Sequence, residues 1–152
     1  MKIFSWISVR WLVLGIVVLL VLIQLVPVPR SNPPVTADVA APPEVRVILR
    51  RACYDCHSNE TVWPWYSRVA PASWLVAYDV AEGRNEMNFS TWNLLTPEQR
   101  AKKLEEAWKQ VSEGEMPPWP YVTAHRDSHL SVEDRAALRA WVLGSPGPGA
   151  DH

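Results

Sequence analysis

The chain has 152 residues, 48% hydrophobic and 20% charged, a composition that argues against disorder over its whole length. A formal net charge of −1 argues against nucleic acid as the main partner, and two cysteines exclude a multi-disulfide scaffold. Fourteen prolines place much of the chain in loops, while nine tryptophans supply flat apolar surfaces that suit a small core built around something planar.

The first 26 residues predict a membrane anchor. Every residue from Trp11 to Ile23 is apolar or glycine, and counted from Ile7 the stretch reaches the roughly 20 residues that cross a bilayer. A cleaved signal peptide is the alternative interpretation, although no small-x-small cleavage site directly follows. Under both interpretations the rest of the chain is exported across the membrane. Lys2 and Arg10 favour an N-terminus inside the cell. The body is therefore expected on the outer side of a membrane.

Two proline-rich stretches flank the body. Residues 27–43 hold six prolines among small and polar residues, which predicts a semi-rigid spacer that lifts the body off the bilayer. The tail, 144–152, is rich in glycine and proline and is predicted to be disordered. Of the 15 basic residues only Lys2, Arg10 and Arg30 lie in the first thirty, which hold no acid, so 12 basic and 16 acidic residues follow.

The body, residues 44–143, carries helical signals and no strand signal, which predicts an all-α domain with proline-rich loops. Apolar residues from Val45 to Cys56 recur on one helical face, and a second helix is expected over about 72–82. Thr96-Pro97-Glu98-Gln99 is a capping box that opens a third helix, with Gly114 as its natural end. Ser131 caps a fourth helix that ends at Gly144.

Both cysteines lie in Cys53-Tyr54-Asp55-Cys56-His57, the Cys-x-x-Cys-His pattern of c-type haem attachment. Two thiols three residues apart at a helix end point the same way and reach two vinyl groups on one edge of a porphyrin. The imidazole of His57 then approaches the iron from the same side. The pattern predicts covalently attached haem c, with His57 as an iron ligand.

Three other interpretations of this pattern compete. A redox dithiol prefers the start of a helix after a strand, whereas this pair ends a predicted helix. A disulfide between such near neighbours closes a tiny loop and stabilises little. A zinc site would require Cys53, Cys56 and His57 with one distant histidine, and ligation by adjacent Cys and His is awkward.

The second axial iron ligand is predicted to be Met116. It lies in Gly114-Glu115-Met116-Pro117-Pro118, where the prolines stiffen the loop and suit a thioether held over the haem face. His125 and His129 are the competing distal ligands, and an empty distal position is a further alternative. The alternative in which Met116 does not ligate iron is that its side chain fills a gap in the core.

Aromatic residues follow the motif closely and are predicted to line the haem. Trp63, Trp65 and Tyr66 come soon after His57, with Trp74 and Tyr78 one turn apart on the next predicted helix. Arg68 and Arg84 are candidate partners of the haem propionates. For each residue taken singly, an ordinary core or surface role is an equal alternative.

From residue 26 to 143 the chain resembles a family of small membrane-anchored bacterial haem-binding domain proteins related to cytochrome c. The resemblance is carried by six blocks and by the closing helix from Leu130 to Trp141. The blocks are Pro29-Arg30-Ser31-Asn32-Pro33-Pro34-Val35, Cys53 to Asn59, Thr61-Val62-Trp63-Pro64-Trp65-Tyr66, Pro71-Ala72-Ser73-Trp74, Asn88-Phe89-Ser90-Thr91-Trp92 and Gly114 to Pro118.

This resemblance implies c-type haem on Cys53 and Cys56, with His57 proximal and Met116 distal. It also implies a cytochrome c-like fold in which the first and last helices of the domain pack together. It identifies no particular enzymatic reaction. Since the family is bacterial and membrane-anchored, it implies a body on the periplasmic face of the inner membrane. The stretch from Asn59 to Glu113 is longer and richer in tryptophan than the corresponding part of ordinary small cytochromes c.

Three functions follow from these observations. The first is a one-electron carrier tethered to the membrane, which requires a redox partner protein. The second is a haem-based sensor or small peroxidase with an open or displaceable distal ligand, for which His125 and Arg126 are the only nearby acid–base and charge pair. The third is a haem-binding structural subunit of a respiratory complex.

Overall fold

The computed structural model describes residues 3–144, with side chains from Ser8 onward, and all but the first residue of the predicted tail lies outside this range. The described chain is all-helical, as predicted, and its only β-contact is an isolated bridge between Ala37 and Thr91. The helices are α1 (Ile3–Leu22), α2 (Pro43–Ala52), α3 (Tyr54–His57), α4 (Ala72–Glu86), α5 (Pro97–Glu113), α6 (Trp119–Ala124) and α7 (Val132–Gly144).

The chain divides into two compact units, each built from two separated stretches. The first unit contains the residues up to Arg30 together with Trp63–Asp79, and the second contains Ser31–Val62 together with the residues from Val80 onward. Neither unit coincides with a predicted segment, and the boundaries predicted at residues 26, 43 and 143 stay predictions.

In the first unit, α1 is exposed along its described side chains. The stretch Ser8–Leu25 is long and apolar enough to cross a membrane, a property that a signal sequence near the N-terminus shares. Gln24, at the end of this stretch, holds the backbone of Ala70: its amide Nε2 donates to the carbonyl at 3.2 Å and its Oε1 accepts from the N–H at 2.9 Å. The guanidinium of Arg30 donates to the carbonyl of Ser67 at 2.9 Å.

In the second unit, α7 packs against both α2 and α5. The resemblance implied this packing of the first and last helices of the domain. The core is formed by twelve buried residues, among them Val45, Ile48, Leu49 and Ala52 on one face of α2. The guanidinium of Arg51 adds a polar clamp, since it bonds to Asp134 of α7 at 2.5 Å and to the carbonyl of His129 at 2.9 Å.

Helix ends follow their sequence signals at α5. Thr96 accepts from the N–H of Gln99 at 3.3 Å, and the Gln99 side chain accepts from the N–H of Thr96 at 2.9 Å, which confirms the predicted capping box. Gly114 ends α5 in the left-handed region, at φ 81°, where a side chain would be strained. Helix α4 runs four residues beyond the predicted Glu82, and α6 was not predicted.

Part of the predicted spacer is bonded along the second unit. The N–H of Thr36 donates to the carbonyl of Ser90 at 2.9 Å, and the Trp141 indole donates to the carbonyl of Ala40 at 3.3 Å. Asp38 accepts from the buried hydroxyl of Tyr54 at 2.5 Å. Val39 is buried in the core. Residues 36–40 therefore contribute to the second unit, and the spacer role of residues 27–43 stays a prediction.

Candidate functional site

The Cys-x-x-Cys-His motif spans a helix break. The periodicity had predicted one continuous helix through Cys56, but α2 ends at Ala52 and Cys53 adopts the non-helical angles φ −129° and ψ −35°. Cys53 therefore ends α2 and starts the short helix α3, in which the N–H groups of Cys56 and His57 both bond to the Cys53 carbonyl, at 3.2 Å and 2.9 Å. This turn carries both thiols and the imidazole, all three half-buried.

The His57 ring is oriented by two backbone carbonyls of the second unit. Its Nδ1 lies 2.8 Å from the oxygen of Gly83 and 3.1 Å from the oxygen of Met87. Because a carbonyl only accepts, Nδ1 must carry the proton, which leaves the Nε2 lone pair available to a metal. Burial lowers the pKa of His57 against the opposing effect of these two bonds, so the ring is neutral at pH 7, as metal ligation requires.

Gly83 also lies so close to Cys56 that no side chain fits between them. A Cβ built on Gly83 would lie 2.6 Å from the carbonyl oxygen and 3.0 Å from the Cβ of Cys56. No residue with a side chain fits there without displacement of the motif. The absence of a Cβ therefore allows α4 to lie against the Cys-x-x-Cys-His motif, where the Gly83 carbonyl reaches His57. Our sequence interpretation had assigned Gly83 no role.

The Cys53 thiol is protonated in this environment. Burial raises the pKa of Cys53 to about 12, and proximity to Cys56 adds to this shift while Arg51 opposes it. A dithiol oxidoreductase instead needs a thiol whose pKa is lowered. No disulfide joins the two cysteines. Within the described side chains, no three His, Cys, Asp or Glu residues converge to hold a metal ion, so the zinc interpretation finds no ligand set.

A buried polar network follows the motif. Asn59 donates through its side chain to the carbonyl of Pro34 at 2.9 Å and accepts from the Asn88 side chain at 2.9 Å. Its N–H donates to the hydroxyl of Ser90 at 2.9 Å. The N–H of Phe89 in turn bonds to the His57 carbonyl at 2.8 Å, so three of the blocks that carried the resemblance meet beside the histidine.

Arg84 ties the same region together. Its guanidinium donates to the carbonyls of Ser58 and Ser31 at 2.8 Å and 2.9 Å, to Asn32 at 3.1 Å and to the hydroxyl of Thr61 at 2.9 Å. All these contacts are internal to the second unit. Arg84 therefore acts as a structural donor, which does not support the propionate role that we considered for it.

Met116 lies in the same unit as the motif, in the turn that follows α5. The N–H groups of Glu115 and Met116 bond back to the carbonyl of Gln110 at 2.9 Å and 3.3 Å, and the Met116 side chain is partly exposed. Five residues on, the hydroxyl of Tyr121 donates to the Asp55 carboxylate at 2.8 Å. Helix α6 directly follows the Met116 loop. That bond therefore attaches it to Asp55, the middle residue of the Cys-x-x-Cys-His motif.

The two histidines considered as distal ligands differ in their surroundings. The ring of His125 stacks on Tyr121, with centroids 4.4 Å apart, whereas His129 is exposed and its carbonyl accepts from Arg51. Burial and the Asp55 bond raise the pKa of Tyr121, and Cys56 and Cys53 add to the shift. The choice among Met116, His125 and His129 stays a prediction.

The predicted aromatic contacts of the haem lie in the first unit. Trp65 and Tyr66 pack edge to face, with centroids 5.8 Å apart, at a short 3₁₀ turn just after Trp63. The haem-contact role of Trp63, Trp65 and Tyr66 stays a prediction. A groove in the second unit, between the start of α2 and the end of α7, is lined by Ala40, Pro42, Val45 and Trp141 among others and includes no residue of the motif.

A family model described as a haem-binding domain matches residues 18–143 of this chain. The chain belongs to the haem-binding domain family. The match includes the Cys-x-x-Cys-His motif, its polar network and the Met116 loop. Comparisons with curated proteins and with solved structures each return no match. The residues present fit haem, since the motif offers a neutral imidazole with an available Nε2 and two adjacent thiols.

Proposed function

We propose that this haem-binding protein is a cytochrome c-like one-electron carrier tethered to the periplasmic face of the inner membrane. Cys53 and Cys56 hold the haem covalently, His57 is its proximal ligand and Met116 its distal ligand. Haem bound in this way supplies an iron centre that accepts and releases one electron. The clamped His57 ring supports this proposal most strongly, because its two carbonyl partners fix the tautomer that ligates iron.

The thiols attach the haem without any external oxidant or reductant. Each thioether would result from addition of one S–H group across a vinyl double bond, with the sulfur on one vinyl carbon and the hydrogen on the other. The reaction is redox-neutral, and each cysteine contributes one thioether. The turn of α3 supports this assignment, since it places both cysteines in one four-residue stretch beside the ligand.

The chain tunes the iron through its own groups. The bonds from Nδ1–H to Gly83 and Met87 make the imidazole a stronger electron donor, and the polar network of Asn59 and Asn88 fixes the backbone on either side of it. Met116 as a thioether ligand favours a higher potential than a second histidine would. The Tyr121–Asp55 bond supports this choice, because it ties the segment after Met116 to the motif.

The attachment is tested by expression of the full chain with a c-type haem maturation system. We expect a mass increment of one haem and a pyridine haemochrome spectrum of the c type. The variant Cys53→Ala/Cys56→Ala should carry no covalent haem, and each single variant should show the spectrum of one remaining thioether. A colourless mature product without a mass increment would overturn the assignment.

The distal ligand is tested by two matched variants that remove a thioether and keep its volume, Met116→Leu and the control Met87→Leu. We expect a low-spin spectrum with a weak Met–iron charge-transfer band, which Met116→Leu loses and Met87→Leu retains. An unchanged spectrum in Met116→Leu, with loss of the low-spin form in His125→Ala, would make His125 the ligand. A high-spin wild-type spectrum that shifts with CO would favour the sensor or peroxidase instead.

A further inference from the structure

The first unit carries an exposed apolar surface that the haem site does not explain. We call it the aromatic shelf, and it consists of Trp65, Val69, Trp74, Leu75 and Tyr78. Trp65 is 77% exposed and Tyr78 is 63% exposed, which is unusual for large apolar side chains grouped over only fourteen residues of sequence. An exposed apolar surface of this kind usually marks a site that binds another molecule or a membrane.

Most of the shelf lies on the first two turns of α4, where Asp79 is the first charged residue of the helix. Ser73 and Ala77 are buried, while Trp74, Leu75 and Tyr78 share the exposed face at helical spacings of three and four residues. An exposed apolar face of this kind is covered either by a protein partner or by lipid. The position of the shelf in the first unit and its chemistry favour lipid.

The shelf is fixed to the end of the anchor. Gln24 lies at the last turn of the apolar stretch Ser8–Leu25, and its side chain both donates to and accepts from the backbone of Ala70. Arg30 bonds to the carbonyl of Ser67 a few residues further on. Ala70 and Ser67 lie inside the sequence that forms the shelf, so the shelf is held where the spanning stretch ends and lipid headgroups begin.

The chemistry of the shelf suits that depth. Tryptophan and tyrosine prefer the membrane–water interface, where the ring is apolar and its N–H or O–H is hydrated. Arg68 is exposed within the same stretch, and Arg30 is held beside it by the Ser67 bond. The only acid in the stretch 63–79 is Asp79, at its far end. Two arginines at this level attract anionic headgroups.

We infer that the aromatic shelf lies on the lipid surface and forms a second membrane contact beside the spanning helix. The inference rests on the membrane tether of the proposed function and deepens it. It makes Trp65 a lipid contact in place of the haem contact that the sequence predicted. The first unit then sits on the bilayer, in place of the spacer-raised arrangement that residues 27–43 had indicated.

The test is lipid photo-crosslinking of the full-length holoprotein in vesicles of phosphatidylcholine and phosphatidylglycerol. A fraction of the phosphatidylcholine carries a diazirine near the glycerol, and adducts are mapped by mass spectrometry of peptides. We expect adducts on 65–78 as well as on α1. The variant Trp74→Ser/Leu75→Ser/Tyr78→Ser should lose most of the adducts on 65–78 and keep those on α1.

The matched control is Trp119, which lies in the second unit and is 79% exposed, close to the value for Trp65. Trp119→Ser should leave the adduct pattern unchanged. Adducts confined to α1 would show that the aromatic shelf does not contact lipid, while the membrane tether through α1 would still be supported. Absence of adducts on α1, with release of the protein by alkaline wash, would instead show that the tether itself has failed.

Discussion

At the scale of single residues, the site depends on how closely α4 approaches the motif. His57 bonds to the carbonyl of Gly83, and the missing Cβ of the same glycine lets the helix backbone reach Cys56. One residue thus sets both the position of the histidine ring and the position of a thiol. A change at Gly83 should therefore be visible in both stability and redox behaviour.

We predict that Gly83→Ala displaces the motif and weakens the Nδ1 hydrogen bond of His57. The overpacking should lower the free energy of unfolding by about 1–3 kcal/mol. A weaker bond makes the imidazole a poorer donor to iron, so the reduction potential should rise. Denaturant unfolding and potentiometric titration of the holoprotein measure the two effects.

Gly144→Ala is the matched control for this substitution, because a Cβ there meets no atom within 4 Å. It should leave the potential unchanged. If Gly83→Ala also left stability and potential unchanged, the positioning role of Gly83 would be wrong.

The sequence identifies some of these residues and hides others. Cys53, Cys56 and His57 are identifiable because their spacing alone encodes their chemistry. Gly83 is hidden, since a glycine just after a helix predicted to end at about Glu82 gives no signal until the backbone of Cys56, 27 residues earlier, is known to lie against it. The structural role of Arg84 is hidden for the same reason, because its acceptors are scattered from Ser31 to Thr61.

At the scale of elements, local signals predict helix ends better than helix breaks. The capping box of α5 acts within four residues, so it was found. The break at Cys53 was missed because apolar periodicity continues across it into α3. Helix α6 was missed because it is only six residues long and carries a proline at its second position, so its placement depends on the distant Asp55 bond.

The clamp between α2 and α7 gives a pH dependence. The hydrogen bond from Arg51 lowers the pKa of Asp134, whose carboxylate also accepts from the N–H of Ser131 at the start of α7. A lowered folded-state pKa means that the ionised carboxylate stabilises the fold above its unfolded-state pKa. That contribution is lost as the pH falls through the folded-state value.

We predict that Asp134→Asn lowers the free energy of unfolding at pH 7 by about 1–2 kcal/mol, through loss of the charged hydrogen bond from Arg51. The difference from wild type should shrink as the pH falls into the acid range where Asp134 itself protonates. Denaturant unfolding at a series of pH values measures it. The exposed Glu105→Gln on α5 is the control, and a wild-type difference that does not depend on pH would contradict the clamp.

At the scale of the whole molecule, the all-helical class and the haem-binding family were predictable, but the division into units was not. Residues 63–79 are separated from the anchor by more than thirty residues of sequence. The contacts that join them are side chain to backbone, from Gln24 to Ala70 and from Arg30 to Ser67, and such contacts leave no periodic signal. Sequence composition alone therefore predicted a domain boundary at the proline-rich residues 27–43.

The small core of the second unit predicts that attached haem contributes strongly to stability. Among the described residues, twelve form its buried apolar cluster, and the motif carrying Cys53 and Cys56 lies directly after the core helix α2. A covalently held cofactor adds apolar contact that cannot dissociate.

Cys53→Ala/Cys56→Ala should therefore melt below wild type, by about 4–8 °C for each kcal/mol lost in a domain of this size. Circular dichroism of the full chain in detergent measures this shift, and Cys53→Ala alone, with one thioether kept, should melt in between. Equal melting temperatures for wild type and the double variant would mean that the polypeptide core alone determines the fold.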